Sequence, residues 1–159
     1  MPILIFFVAH WYLSLFSQTF LMHRYAAHRA FTMSKPWERF FYIFAYITMG
    51  SSYLSPRIYA IMHRMHHAYT DTPKDPHSPK YFPNVFAMMN HTKEVYVGIQ
   101  KDESPIDERF LKNTPTWDAL DNFADSWYSR IGWGLHIWAS ISLSLHRYGG
   151  FCCCLCSGS

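Results

Sequence analysis

Cysteine is missing from the first 151 residues of this 159-residue chain, and all four cysteines fall in Cys152–Cys156. That excludes a disulfide framework between distant segments, and the cluster lacks the spacing of a thiolate metal site. Charge is as unevenly spread. Residues Pro2–Met22, PILIFFVAHWYLSLFSQTFLM, hold no Lys, Arg, Asp or Glu, while ten of the eleven carboxylates lie between Asp71 and Asp125. No basic run is interleaved with aromatics and the net charge is only +3, which argues against a nucleic-acid partner. Neither an internal repeat nor a linker-like stretch divides the chain, so its length reads as one domain. With half its residues hydrophobic and 19% aromatic, it is far from the disordered class.

The uncharged N-terminal run is 21 residues long, matching the roughly 20 that cross a bilayer core as a helix. It lacks the basic leader and short apolar core of a signal peptide. Arg24, Arg29, Lys35 and Arg39 follow it at once. The positive-inside rule then places the N-terminus outside and everything after His23 on the cytoplasmic side. A second apolar run, Phe40–Met49, is too short to span alone and is expected to lie at the interface or against the first helix. From Ala68 to about Ser129 the chain is polar and rich in Pro, Asp and Lys, as expected of a cap of short helices, one of them around Thr116–Phe123. The expected fold is all-α: membrane helix or helices plus a cytoplasmic helical cap that carries the histidines.

Those histidines come in two groups. His63, His66 and His67 are spaced H-x-x-H-H, which at about 100° per residue puts all three on one face of a helix. Ser55-Pro56 is a good start for that helix, and Ile58, Ile61, Met62 and Met65 fall on the opposite face. An apolar back with an imidazole front is a geometry that metals use and packing rarely needs. His23 and His28 form the second group, H-x-x-x-x-H. Five residues of regular α-helix correspond to about 140° of rotation, so these two converge only if the helix ends between them or if two metals sit side by side. Imidazole suits zinc, copper, iron and nickel. No Glu lies inside either group, unlike the H-E-x-x-H of zinc hydrolases. Five histidines exceed what one catalytic zinc uses, which favours a two-metal site. Asp71 and Asp75 are placed to accept the free N–H of the ligating rings rather than to ligate. His10, His91, His136 and His146 read as ordinary histidines.

HRYAAHR followed by MHRMHHAYTDTPKDPHSP resembles the membrane-bound acyl-CoA (stearoyl-type) fatty acid desaturases. Their pattern is H-R-x-x-x-H-R, then H-R-x-H-H-x-x-x-D-x-x-x-D-P-H. Every fixed position of the second part is present, as His63, Arg64, His66, His67, Asp71, Asp75, Pro76 and His77. The resemblance implies a non-haem site of two Fe, with O2 as co-substrate, that removes two hydrogens from a fatty acyl thioester. It further implies membrane lipid around the protein and a small electron-transfer protein with its reductase as donors. On this likeness His23, His28, His63, His66 and His67 are the metal ligands, and Asp71, Asp75 and His77 steer the rings or shape the loop.

The family pattern also has an N-x-x-x-H segment and a third histidine box, and neither occurs in this sequence. The expectation is therefore that residues 1–135 form the N-terminal part of a desaturase domain and 136–159 an aberrant tail. A shifted reading frame past Leu135 would account for that tail, since its cysteine codons can encode leucines one frame over. The chain is expected to be incomplete, with weak or no activity alone. Two other classes stay open: a related membrane lipid or alkane hydroxylase, and a non-enzymatic metal-binding membrane fragment. The D-P-H ending and the form of the first box favour desaturation.

Overall fold

The computed structural model describes the backbone of residues 2–156 and the side chains of residues 4–143. Among the described residues every regular element is helical, in agreement with the all-α expectation. The order is α1 (Pro2–Ser17), a π-helical segment (Gln18–Ala27), α2 (Lys35–Met49), α3 (Pro56–Tyr69), α4 (Val85–Gln100), α5 (Glu108–Leu111), α6 (Asp118–Asp125) and α7 (Trp127–Cys156).

Helix α1 and the π segment form one rod whose stretch Leu4–Ala27 is long and apolar enough to cross a membrane. Only 11% of its most apolar window is buried within the protein. A core helix of a soluble protein would be mostly covered. The apolar surface of α1 instead faces outward, with Leu4, Ile5 and Trp11 among its exposed residues. Near Thr19 the hydrogen-bond ladder changes from α to π. There the Thr19 hydroxyl donates to the carbonyls of Leu15 and Phe16, at 2.9 and 3.1 Å. A hydroxyl bonded back onto the preceding turn loosens the helix at that point.

The short apolar run packs as expected against the first helix. Helix α2 runs alongside the rod, joined by the buried Ser17 Oγ–Thr48 Oγ1 hydrogen bond of 2.7 Å. Phe20 lies against Phe41, with ring centres 4.8 Å apart. Gly50 ends α2 at φ +58°, where a side chain would be strained, and an added Cβ would also stand 3.5 Å from the Trp133 ring. Leu21, Met22, Tyr42, Ala45, Met49, Tyr53 and Ala124 make up the core between the rod, α2 and α6. Tyr25, closer to the first histidine pair, donates its hydroxyl to the buried Glu38 carboxylate.

Pro56 opens α3 as expected, but the Ser55 side chain does not cap it. The Ser55 hydroxyl donates to Asp121 Oδ2 at 2.7 Å instead, and Tyr53 donates to Asp121 Oδ1 at 2.7 Å. A side-chain cap stabilises by about 1 kcal/mol, whereas full burial of a residue such as Ile61 contributes about 1.5–3 kcal/mol. Packing of the apolar back, Ile58 and Ile61 against Ile99 and Phe110, therefore dominates the placement of α3. Helix α6 begins two residues later than the 116–123 expectation. Trp117 stands outside the helix (φ −147°, ψ 73°), with its ring against the Arg39 guanidinium, 4.0 Å away. The cap also contains a 16-residue helix, α4, which the polar composition had concealed; Asn84 caps it by accepting from the Ala87 N–H at 2.9 Å. The backbone of α7 continues through Leu135. Most of the tail expected over 136–159, including His146 and the cysteines, lies outside the described side chains.

Asp121 is the polar link of this half of the fold: 9% exposed, it ties α6 to the connection between α2 and α3. Burial pushes its carboxyl up, against the hydrogen bonds from Ser55 and Tyr53 that favour the charged form. Asp121→Ala leaves both hydroxyls without their acceptor and is expected to cost about 2–4 kcal/mol. The unfolding midpoint of the detergent-solubilised chain measures this, and a change below about 0.5 kcal/mol, typical of an inert surface site, would contradict it.

Candidate metal centre

Three alanines decide how the two histidine groups meet. Ala26 and Ala27 at the end of the π segment and Ala60 on α3 are all buried and pack on one another. Residues with no side chain beyond Cβ let two helix backbones approach closely. His23 and His28 then stand on one side of this crossing, and His63, His66 and His67 on the other.

The π segment brings His23 and His28 together at its end, as the sequence expects of a helix that stops between them, and does so through a wider turn. The His28 N–H donates to the His23 carbonyl at 3.0 Å, an i→i−5 bond. In this wider turn residues five apart stack on one face, where α-helix geometry would separate them. The π segment ends at Ala27, between the two residues, with His28 as its cap. His28 Nε2 lies 3.2 Å from His23 Nε2 and 3.0 Å from His63 Nε2. His67 Nε2 is 3.0 Å from His63 Nε2. Donor atoms of His23, His28 and His63 all lie within 4.8 Å of one another.

Such an array cannot be hydrogen-bonded at every contact. Each neutral imidazole Nε2 presents either one N–H or one lone pair in the ring plane, so each can join only one of these contacts. Of the three contacts along the series His23–His28–His63–His67, at most two can be hydrogen bonds. A cation that takes a lone pair from every ring removes the conflict. Separations of 3.0–3.2 Å also suit neighbouring ligands, given metal–imidazole bonds of about 2.1 Å. The residues present therefore fit a metal bound through imidazoles.

His66 is set apart from this series. Its Nδ1 donates to the Asp75 carboxylate, at 2.9 and 3.1 Å from the two oxygens, leaving Nε2 as its free donor atom. Asp75 is 2% exposed and also accepts the backbone N–H groups of His77 (2.9 Å) and Asp71 (3.2 Å). Burial would push its carboxyl up, but these hydrogen bonds outweigh that and hold it below the ordinary carboxylate range. A carboxylate so placed fixes the ring's tautomer and orientation. Asp71 touches no imidazole; its φ is +57°, its carbonyl accepts from Tyr81, and its carboxylate accepts from Ser78. It shapes the loop. His77 Nδ1 lies 3.1 Å from Thr92 Oγ1, and its ring stands edge-on to that of His66, with centres 6.4 Å apart.

Among the histidines left aside by the sequence reading, His10 stacks on Phe6, His91 on Phe82 and His136 meets Trp133. Sequence reasoning gave Thr92 and Arg64 no task, although Arg64 occupies a fixed position of the H-R-x-H-H pattern.

The family described as Fatty acid desaturase matches residues 1–153. The chain belongs to the fatty acid desaturase family. Among its relatives, the Acyl-CoA C20 Delta5-desaturase of Anemone leveillei is 42% identical over 64 residues, 40% of this chain and 20% of that protein. The Delta-9 desaturase-like 4 protein of Arabidopsis thaliana is 40% identical over 68 residues, 43% of this chain and 22% of that protein. A longer match joins it to the Hex-5-enoyl-[acyl-carrier protein] acetylenase of Moorena producens (strain JHB), 27% identical over 140 residues, 86% of this chain and 40% of that protein. The desaturase chain thus spans between a fifth and two fifths of the length of these curated relatives. No solved structure matches it.

Burial lowers the His63 pKa to about 4, and the neighbouring His23, His67, His28 and His66 add to the shift. His28 is lowered as well, by burial and then by His23, His67 and Arg64. Both rings are therefore neutral near pH 7, with lone pairs available. A histidine pushed below its unfolded value of about 6.5 binds its proton less readily in the native state. Its effect on stability is nil above about pH 6.5, becomes destabilising as pH falls, and levels off below about pH 4. The metal-free chain should lose stability across that window, and His63→Gln should make the loss shallower. Thermal unfolding of both proteins from pH 7 to pH 4.5 measures the difference; parallel curves would contradict the assignment.

Proposed function

We propose that this chain carries the first two histidine boxes of an oxygen-dependent fatty acyl desaturase. It holds non-haem iron through His23, His28, His63, His66 and His67. The observation behind this reading is the series of four Nε2 atoms spaced 3.0–3.2 Å apart at the crossing of the π segment with α3. Iron with O2 supplies the oxidising power needed to remove hydrogens from an unactivated acyl chain, and a small electron-transfer protein with its reductase supplies electrons.

The protein's own residues do the rest. Asp75 keeps the His66 proton on Nδ1 and so directs Nε2 as the donor atom. Burial keeps His63 uncharged. The exposed apolar rod Leu4–Ala27 anchors the site at a membrane, where acyl chains reside. Arg24, Arg29, Lys35 and Arg39 after it put the boxes on the cytoplasmic face. The substrate is a fatty acyl thioester, in keeping with relatives named for acyl-CoA and acyl-carrier-protein substrates. Five imidazoles are too few to close a cage around two irons, so the chain alone holds nearer one iron than two and has little activity.

Anaerobic loading with Fe(II), followed by metal analysis of the purified chain, should give about one iron per chain. The ratio should fall sharply in both His28→Ala and His63→Ala. Iron at background level in a chain of undiminished helix content would reject the metal reading. Expression in a desaturase-deficient host is a separate measure, with no recovery of unsaturated lipids expected. Recovery would show that this chain desaturates unaided.

A further inference from the structure

The Arg64 guanidinium reaches from the second box to the backbone of the first. Its Nε and Nη2 donate to the carbonyls of Ala27 and Ala26, each at 2.9 Å. Its Nη1 donates to the carbonyls of Lys112 and Phe110, at 2.8 and 3.1 Å. Ala26 and Ala27 are the last residues of the π segment, and Phe110 and Lys112 lie at the end of α5. The carbonyls at a helix C-terminus have no partner within the helix, and Ala26 and Ala27 are buried away from water. One planar side chain thus satisfies the open ends of two helices from inside α3.

The register of these contacts bears on the metal centre. Arg64 directly follows His63, and Ala27 directly precedes His28. The guanidinium therefore links the backbone beside one donor to the backbone beside the other, and His28 and His63 are the pair whose 3.0 Å contact joins the two boxes. Ala60, one turn earlier on α3, sets how closely the helices approach. Arg64 fixes how they are aligned along the crossing. Only a rigid, planar fork with five N–H groups can serve four carbonyls in these directions; a lysine ammonium, with three donors on a flexible stem, can serve some of them.

We propose that Arg64 is a positioning residue for the metal centre, holding the His23–His28 pair in register with His63 and His67 without itself touching the metal. This rests on the reading of those imidazoles as metal ligands. It predicts that removing the fork weakens metal binding through the first box specifically, leaving the helices intact.

Cobalt(II), titrated into the purified 159-residue chain in detergent, tests it through affinity and visible absorption spectrum, with circular dichroism recorded on the same samples. Arg64→Gln should keep the wild-type helix content and bind cobalt about tenfold more weakly or worse, the scale typical of losing a partner that orients a ligand. Its cobalt spectrum should match that of His28→Ala. Adding Arg64→Gln to His28→Ala should cause little further loss, because the two changes remove the same ligand pair. Arg64→Lys should fall between wild type and Arg64→Gln. Wild-type affinity in Arg64→Gln would overturn the inference and leave the metal reading standing. Fully additive losses in the double variant would overturn it too, since Arg64 would then act elsewhere. Loss of helix content in both Arg64 variants without metal would overturn it by making the role purely structural. A wild-type chain that binds no cobalt would overturn the metal reading itself, and the inference with it.

Discussion

The close crossing of the π segment over α3 is the contact on which the site depends. Ala26, Ala27 and Ala60 are packed face to face, and each lacks any side chain that would hold the helices apart. Helices in contact usually keep their axes about 8–10 Å apart, according to the side chains between them, and alanines allow the short end of that range. The imidazoles, which are long enough to reach across such a gap, meet in front of it. A larger residue at any of the three positions would part the two boxes before it disturbed the rest of the fold.

Around that crossing the structure places a polar problem with a chemical solution. Of the three contacts along the four imidazole nitrogens at least one cannot be a hydrogen bond, and burial works against protonating His63 and His28. The Asp75 and Asp121 networks nearby are, by contrast, well satisfied. The two networks have different tasks. Asp75 orients an imidazole and closes the loop after α3, while Asp121 joins the cap to the α2–α3 connection.

The apolar surface completes this division of labour. The rod Leu4–Ala27 exposes its hydrophobic residues, and α7 adds Trp127, Ile131, Leu135 and Trp138 to the exposed set. A surface of that extent is too large for water to be its natural solvent. The polar and charged residues gather in the cap instead, so the histidines sit at the boundary between the two environments.

Much of this was legible along the chain. An uncharged 21-residue run, helix-spaced histidines with an apolar back, and the run of fixed positions from His63 to His77 are local patterns. Helical periodicity and membrane partition act on local sequence, so the all-α fold and the membership of the desaturase family followed from them. The wider turn that brings His23 to His28 did not, because regular α-helix geometry separates residues five apart and nothing in HRYAAHR announces a π turn. An aspartate accepting from a box imidazole was legible, and Asp75 does so for His66; the diversion of Ser55 from its cap to Asp121 and the grip of Arg64 on four carbonyls were not. Each depends on groups brought from another segment of the chain, up to 66 residues away for Ser55 and Asp121. Sequence by itself marked five histidines as candidates for binding a metal. Tertiary structure decided which of them face one another, because that is set by how closely two helix backbones can approach.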